Sequence, residues 1–362
     1  MLKRIIVTAG GTGGHIFPAL AIAEEFSNRG TDILFVGNRE SMEEKIVKEK
    51  NISFADIDVQ KLYRYLTLKH IKFPYKFIKS CLLSNRIIKN YKPEACLGSG
   101  GFVSGPVLIC SWLRGIPFYL QEQNSVPGLT TRLFSRYTRK IFIGFSSAQN
   151  YLPKSKCYHT GNPLQKQFID GFQNIKSIDR RKENQPVSLL ILGGSQGAQS
   201  INSIILEIIS ELLKMKINII WQTGLRDYQR VVNSLSTKVP GHPIELFPFS
   251  SDMLSVYRRT DLAITRAGAL SLAELEAMKI PALIIPLPHS AGNHQYLNAR
   301  HQEEMGRAIV IEQKNLNGSI LLESFRNLEQ NLVKYRNNFG ESKHLTAASS
   351  IVTSISEDFE QC

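Results

Sequence analysis

An apolar, β-branched run, Ile5-Ile6-Val7, passes directly into Thr8-Ala9-Gly10-Gly11-Thr12-Gly13-Gly14-His15. A short run of that kind fills a strand buried on both faces of a parallel sheet, and Pro18 suits the first turn of a helix. The glycines then occupy a strand-to-helix turn. There, backbone N–H groups approach an anion at the positive end of the helix, or a ligand ring comes close without meeting a Cβ. His15 stands at the rim of such a site, although a tight turn with an ordinary surface histidine also accounts for the stretch taken alone. Spacing excludes two common glycine loops. A phosphate loop needs Lys-Ser/Thr after its last glycine, where His15-Ile16 stands, and the dinucleotide fingerprint counted from Gly11 needs a third glycine where Ile16 stands.

The same pattern returns along the chain. A helix expected over 18–29 stops at Gly30, and Asp32 to Gly37 reads as a second strand, giving a βαβ rhythm. Ala95-Cys96-Leu97 leads into a second glycine-rich exit, Gly98 to Pro106. The strand Pro117 to Leu120 delivers Gln121-Glu122-Gln123-Asn124 to the carboxyl edge of the sheet, where open α/β folds bind ligands. A helix cap is the plainer account of that polar cluster. The pattern breaks around Gly161-Asn162-Pro163 and in the charged stretch Asp179 to Pro186, which places a domain junction there. Beyond it Ser188 to Leu192 is a strand, Gly193-Gly194-Ser195-Gln196-Gly197 a glycine turn, and Ala198 to Met215 a helix. The chain therefore reads as α/β, in two strand-loop-helix halves, as its 362 residues allow.

In the second half the strand Leu262 to Thr265 exits through Arg266-Ala267-Gly268-Ala269 into a helix from Leu270 to Met278 that carries Glu274. A carboxylate so placed accepts two hydrogen bonds from the vicinal hydroxyls of a ribose, and Arg266 faces phosphate. Ordinary helix-dipole and surface pairing remain open for both. His294, Gln295 and Asn298 follow the strand at Pro281 to Pro286, and amide side chains suit sugar hydroxyls. Asp56-Ile57-Asp58 has the D-x-D form of metal-dependent sugar transferases, but its alternating strand setting favours two solvated carboxylates.

A formal net charge of +13 favours an acidic partner: nucleic acid, an anionic membrane surface or a phosphorylated substrate. Between Lys61 and Lys92 there are nine cations, Lys61, Arg64, Lys69, Lys72, Lys76, Lys79, Arg86, Lys89 and Lys92, no acid, and interleaved Leu, Ile, Phe and Tyr. That mixture suits an anionic lipid interface, with a solvated helical face as the alternative, and no nucleic-acid-binding motif accompanies it. Five scattered cysteines without a C-x-x-C pair indicate neither a disulfide framework nor a zinc site. No run is long enough to span a membrane, so membrane contact is expected to be peripheral.

Together Gly10 to His15, Gly98 to Pro106, Glu122 to Asn124, Gly193 to Ala198, Arg266 to Glu274 and His294 to Asn298 resemble the MurG family of UDP-N-acetylglucosamine transferases, in family order and over nearly the whole chain. The resemblance implies a GT-B fold: two Rossmann-like parallel-sheet domains facing each other across a cleft. Residues 1–162 would form an acceptor and membrane-binding domain, with a helix at 344–362 packing back on it, and 163–343 a domain for UDP-N-acetylglucosamine (UDP-GlcNAc). It implies inverting transfer of N-acetylglucosamine to the muramoyl 4-hydroxyl of lipid I, the undecaprenyl-pyrophosphoryl-MurNAc-pentapeptide, giving lipid II at the cytoplasmic membrane face. No cofactor or metal is implied. The implied partners are UDP-GlcNAc, lipid I, an anionic membrane surface and other cell-wall synthesis enzymes, with no nucleic acid.

By motif position His15 is the implied general base, with Glu122 as a second catalytic residue. The dipole at a helix start keeps a neutral imidazole available. Thr12, Gly13, Gly14, Asn124, Ser195, Gln196, Phe249, Ser250, Arg266, Ala269, Leu270, Glu274, His294, Gln295 and Asn298 are implied to bind the donor: the glycine loop its diphosphate, Glu274 its ribose, the backbone near Phe249 its uracil. Gly100, Gly101 and Phe102 would meet the acceptor, and Lys69, Lys72, Lys76 and Lys79 the membrane. Three positions depart from the family. Gln121 stands where His is usual, Phe102 where Tyr is frequent, and Gln165 where Arg is frequent; for Gln165, which lacks the guanidinium, compensation by Arg266 or weaker donor binding is expected. The rival readings are a UDP-GlcNAc epimerase or other GT-B transferase, and a silent membrane-surface scaffold.

Overall fold

The structure, a computed structural model, describes residues 2–60, 73–174, 185–194, 197–250 and 252–360. The chain divides into two compact units, Met1–Lys166 with Lys343–Cys362, and Gln167–Ser342. The family resemblance implies these junctions at 162/163 and 343/344, and the break in pattern alone puts the first around 161–163 and 179–186.

The first unit runs β1 (Arg4–Thr8), α1 (Gly13–Asn28), β2 (Asp32–Asn38), α2 (Met42–Glu49), β3 (Ser53–Ile57) and α3 (Phe73–Tyr91). It continues through β4 (Ala95–Gly98), α4 (Ser104–Leu113), β5 (Phe118–Glu122), α5 (Leu129–Phe134), β6 (Ile141–Ile143) and β7 (Cys157–His159). Every pairing is parallel, in the order β3-β2-β1-β4-β5-β6-β7. Period-two geometry sends neighbouring residues of one strand to opposite faces. Ile5 and Val7 accordingly join one core cluster with Leu20, Ala23 and Phe26 of α1, while Ile6 joins another with Ile88 of α3 and Val107 and Leu108 of α4. Both faces are covered at β1, β4 and β5, whose residues are almost all buried.

Helix α1 begins at Gly13, with Thr12 as its extended N-cap, rather than at Pro18. Glycine's poor intrinsic propensity is overridden by burial of Ile16, Ala19, Leu20 and Phe26 on the sheet. Pro18 lies inside the helix and has no N–H to give the carbonyl one turn back. His15 consequently sits within the first helical turn.

The second unit follows α6 (Lys166–Gln173) with β8 (Ser188–Leu192), α7 (Gln199–Lys214), β9 (Asn218–Gln222), α8 (Tyr228–Lys238), β10 (Ile244–Phe247) and α9 (Met253–Arg258). Then come β11 (Leu262–Thr265), α10 (Ala269–Ala277), β12 (Ala282–Ile284), α11 (His294–Glu304), β13 (Ala308–Val310), α12 (Gly318–Gln330) and α13 (Leu332–Asn337). Its sheet is also parallel, in the order β10-β9-β8-β11-β12-β13. Each unit is thus Rossmann-like, and two such units in one chain make the α/β GT-B class.

The chain returns to the first unit in α14 (Ala347–Glu360), whose Ile351, Val352 and Ile355 are buried in the cluster that holds α1. Arg29 donates to Thr353 Oγ1 and Ser349, and Tyr119 Oη donates to Asp358 Oδ2 at 2.6 Å. Ile355 is fully enclosed, so Ile355→Ala is expected to destabilise the first unit by about 2–5 kcal/mol, read as a lower denaturant midpoint of that unit's unfolding transition.

Candidate active site

Strand order reverses between β1 and β4 in the first unit and between β8 and β11 in the second. At such switch points the loops leaving the two strands diverge and open a crevice at their carboxyl ends. In the first unit those loops are the glycine stretches after Thr8 and after Gly98. They touch backbone to backbone: a Cβ on Gly101 would lie 2.2 Å from the carbonyl oxygen of Gly10, and Gly101 has φ +81°. His15 projects from the first turn of α1 against Gly100, where a Cβ would lie 2.8 Å from its Nδ1. Thr12, Gly13, Gly14, Gly100, Gly101, Phe102 and His15 are therefore brought together. Thr12 and Gly14 are exposed, and a Cβ on Gly11 would lie 3.1 Å from the Phe102 ring.

The exit of β5 completes this edge. His15 Nδ1 lies 2.8 Å from Gln123 Oε1. Gln123 Nε2 donates to Ser99 O at 2.9 Å, to Ser99 Oγ at 2.8 Å and to Gln121 Oε1. Ser99 Oγ donates to Gln121 Oε1 at 2.7 Å, Gln121 Nε2 donates to Asn162 Oδ1 at 3.4 Å, and Asn162 Nδ2 donates to Gln123 O at 3.0 Å. The Gln121 amide thus closes an uncharged buried network. Gln123 carried no separate signal in the sequence, because one amide among four polar residues at a strand exit looks like a cap.

Glu122 is enclosed at the exit of β5. Its side chain is 1% exposed, with Oε1 accepting from Asn124 N and Nδ2 and Oε2 accepting from Gly128 N at 3.0 Å and Thr131 Oγ1 at 2.7 Å. Those donors occupy the carboxylate and make it the brace of the turn that carries Asn124. Asp56 pairs with Arg39 at 2.6 Å and Asp58 with Lys76 at 3.7 Å, the surface arrangement expected of that D-x-D.

In the second unit a Cβ on Gly193 or Gly197 would lie under 3.0 Å from Thr223 O, so the first glycine loop closes onto the β9 exit without side chains between. Ser195 and Gln196 lie outside the described residues. Across the switch point Arg266 is half-buried; its guanidinium donates to Ser200 Oγ at 2.6 Å, Gln313 Oε1 at 2.8 Å, Ile285 O at 3.0 Å and Pro286 O at 3.3 Å. None of these acceptors is a carboxylate, and burial lowers the guanidinium's pKa to about 10. An uncompensated buried cation at this point favours an incoming anion. Ser200 and Gln313 were not singled out from the sequence, since they meet Arg266 only through the fold.

Glu274 projects from α10, which starts at Ala269 and Leu270 with Gly268 as N-cap. Desolvation pushes its carboxyl up to about 7, opposed by a 2.7 Å hydrogen bond that Tyr257 Oη donates to Oε2. The buried Tyr257 phenol is itself held well above its ordinary value by desolvation and by this carboxylate. Tyr257, on the six-residue α9, gave no signal in the sequence.

After β12 the backbone takes positive φ at His289, Gly292 and Asn293 before α11. Gln295 Oε1 accepts from Leu287 N at 3.0 Å and Gln295 N donates to Ser290 Oγ, which ties this loop to the helix start that also carries His294. Asn298 is fully enclosed, and its Nδ2 donates to Ala267 O at 3.2 Å. That bond ties α11 to the Arg266–Gly268 turn. Phe249 is half-exposed, and Ser250 Oγ accepts from Asp252 N at 3.1 Å.

The comparisons agree over both units. The glycosyltransferase family 28 N-terminal domain matches residues 5–143, and the family's C-terminal domain matches residues 188–354. The chain is 36% identical over 360 residues to a Natranaerobius thermophilus protein, covering 96% of this chain and 98% of that one. That relative is a UDP-N-acetylglucosamine–N-acetylmuramyl-(pentapeptide) pyrophosphoryl-undecaprenol N-acetylglucosamine transferase. A protein of the same name from Bacillus subtilis (strain 168) is 34% identical over 323 residues, 89% of each chain. The crystal structure of Acinetobacter baumannii MurG superposes with a TM-score of 0.80 at 28% identity, covering 98% of this chain and 99% of that one. With matches of this extent through both halves, the chain belongs to glycosyltransferase family 28 and, within it, to the MurG family.

Proposed function

We propose that this protein transfers N-acetylglucosamine from UDP-GlcNAc to the muramoyl 4-hydroxyl of lipid I, giving lipid II. The observation that carries the reading is His15, an imidazole seated on Gly100 at the first unit's switch point, whose Nε2 has no hydrogen-bond partner among the described residues. The acceptor hydroxyl gives its proton to His15 as its oxygen bonds to C1 of the donor sugar. The bond from C1 to the diphosphate breaks on the opposite face, inverting the centre, and the electron pair leaves with UDP. Arg266 and the amides of the glycine loop that includes Ser195 and Gln196 stabilise that charge. Glu274 accepts from the ribose hydroxyls, the backbone around Phe249 and Ser250 meets the uracil, and His294 and Gln295 meet the sugar. Thr12, Gly13, Gly14 and Asn124 surround the reacting sugar, Gly100, Gly101 and Phe102 the acceptor. Glu122 and Asn298 act through the turns they brace.

The basic stretch belongs to the same reading as a peripheral membrane contact. On α3, Tyr75, Ile78 and Leu82 are 71%, 60% and 65% exposed, among Lys76, Lys79, Arg86 and Lys89. Leu113, at the end of α4, is also exposed, beside Trp112, which packs on Tyr137 at 5.0 Å between ring centroids. Apolar side chains that leave water at a lipid interface, with ammonium groups at the headgroups, suit an enzyme whose acceptor carries a polyprenyl chain. Lys69 and Lys72 lie outside the described residues. No helix among the described residues is long and apolar enough to cross a membrane. Other cell-wall synthesis enzymes are further partners in this reading.

Labelled N-acetylglucosamine is expected to pass from UDP to a muramoyl-pentapeptide pyrophosphoryl-polyprenol in detergent with EDTA present, and only when acceptor is supplied. Consumption of the nucleotide sugar without acceptor would indicate an epimerase or hydrolase, and binding without turnover a silent scaffold. His15→Ala is expected to lower kcat by about 10²–10⁴-fold with UDP affinity nearly unchanged; an equal loss of UDP affinity would make His15 a donor ligand.

Glu274 sets a pH dependence whose sign follows from its raised pKa. Below about pH 7 the free protein holds the carboxyl protonated, and ribose hydroxyls donate best to the ionised form, so UDP-GlcNAc affinity is expected to rise between about pH 6 and about pH 8. Titration calorimetry across that range should show the rise in wild type and a flatter profile in Glu274→Gln. For the membrane, Ile78→Glu with Leu82→Glu is expected to cut sedimentation with phosphatidylglycerol vesicles about tenfold or more while leaving UDP-GlcNAc affinity intact.

A further inference from the structure

Whether the imidazole of His15 can accept a proton at Nε2 depends on which ring nitrogen already carries one. Two main-chain carbonyls settle the direction of the hydrogen bonds around it, because a carbonyl oxygen can only accept. Ser99 O lies 2.9 Å from one end of the Gln123 amide, so that end is the NH2 and the other, facing His15, is the oxygen. The second carbonyl gives the same direction by a separate route. Gln123 O accepts from Asn162 Nδ2, which turns Asn162 Oδ1 toward Gln121 Nε2 and therefore Gln121 Oε1 toward Ser99 Oγ and Gln123 Nε2. Reversing the Gln123 amide would set oxygen against oxygen at Ser99 and again at Gln121. Beyond Asn162 the network reaches His344, whose Nδ1 accepts from Asn162 N at 2.7 Å. Gln121, Gln123, Ser99 and Asn162 are all at most 1% exposed, so no competing water contact loosens the arrangement.

With an oxygen 2.8 Å from Nδ1, that nitrogen must be the donor. We infer that Gln123 is the positioning residue of the transfer reaction: it holds His15 as the Nδ1–H tautomer and leaves the Nε2 lone pair to take the acceptor's proton. Gly100 restricts the ring from the other side, since any side chain there would occupy the space of Nδ1. The inference rests on His15 being the base, as proposed above. Gln121 belongs to the same device. Its amide gives Gln123 a fixed acceptor and makes every member between His15 and His344 a neutral group without a titration of its own.

The tautomer is read by nitrogen NMR of the full-length protein labelled with ¹⁵N-histidine, with His15→Ala identifying the resonances. Wild type is expected to show His15 with a protonated Nδ1 and an unprotonated Nε2. Gln123→Leu is expected to move the population toward the Nε2–H form and to lower kcat about tenfold or more, with KM for UDP-GlcNAc within about twofold. Gln123→Glu keeps an oxygen facing Nδ1 and adds a negative charge, so the acid limb of its kcat–pH profile is expected to move to higher pH; a merely structural role leaves that limb in place. An Nε2–H tautomer in wild type, or an unchanged tautomer in Gln123→Leu, overturns the assignment while the base reading stands. A shifted tautomer with unchanged kcat overturns His15 as the base, and with it the catalytic role of Gln123. The wild-type spectrum decides the first point even if a variant fails to fold.

Discussion

Close approach of backbone to backbone, with no side chain between, is the constraint on which both candidate sites depend. In the first unit Gly101 lies so near the Gly10 carbonyl that any Cβ would overlap it, and Gly100 makes room for the His15 ring in the same way. In the second, Gly193 and Gly197 close onto Thr223 O. Each contact joins loops from neighbouring parallel strands, and the helix starts of α1 and α7 inherit their positions from them. Polar groups then need little further steering. A histidine one turn into α1 and an arginine at the exit of β11 arrive beside amide-lined loops because the sheets put them there.

Much of this was legible before any coordinates. The apolar runs at β8 and β11 were read to the residue, because strands buried on both faces announce themselves as continuous hydrophobic stretches. The glycine turns and His15, Arg266 and Glu274 stood out for the same reason: each follows such a strand. The three-residue strands β6, β7 and β13 were not identified, since runs that short carry no periodicity. The start of α1 was misplaced because Gly13 and Gly14 are poor helix formers, and their conformation is decided by the burial of Ile16 and its neighbours.

What the sequence could not convey is which way a polar side chain points once its loop is folded. Glu122 and Asn298 have residue types suited to a sugar, yet both are turned inward. Their partners Gly128, Thr131 and Ala267 are set by the tertiary fold rather than by spacing. Gln123 and Tyr257 are the reverse case. Residue type gave neither a role of its own, yet Gln123 lies against His15 from 108 residues away and Tyr257 donates to Glu274 across the β11 strand. Groups that tune a site are harder to read from a linear sequence than groups that line it.

The return of the chain in α14 has a consequence for how the molecule is made. Residues 167–342 are inserted within a unit whose core is completed only by Ile351, Val352 and Ile355. During synthesis the second unit therefore emerges whole while the first still lacks the helix that covers α1. The usual order, in which the amino-terminal domain finishes first, is reversed. Until α14 leaves the ribosome, the apolar face of α1 remains open, and it is the nascent form of the first unit that stands in most need of a chaperone.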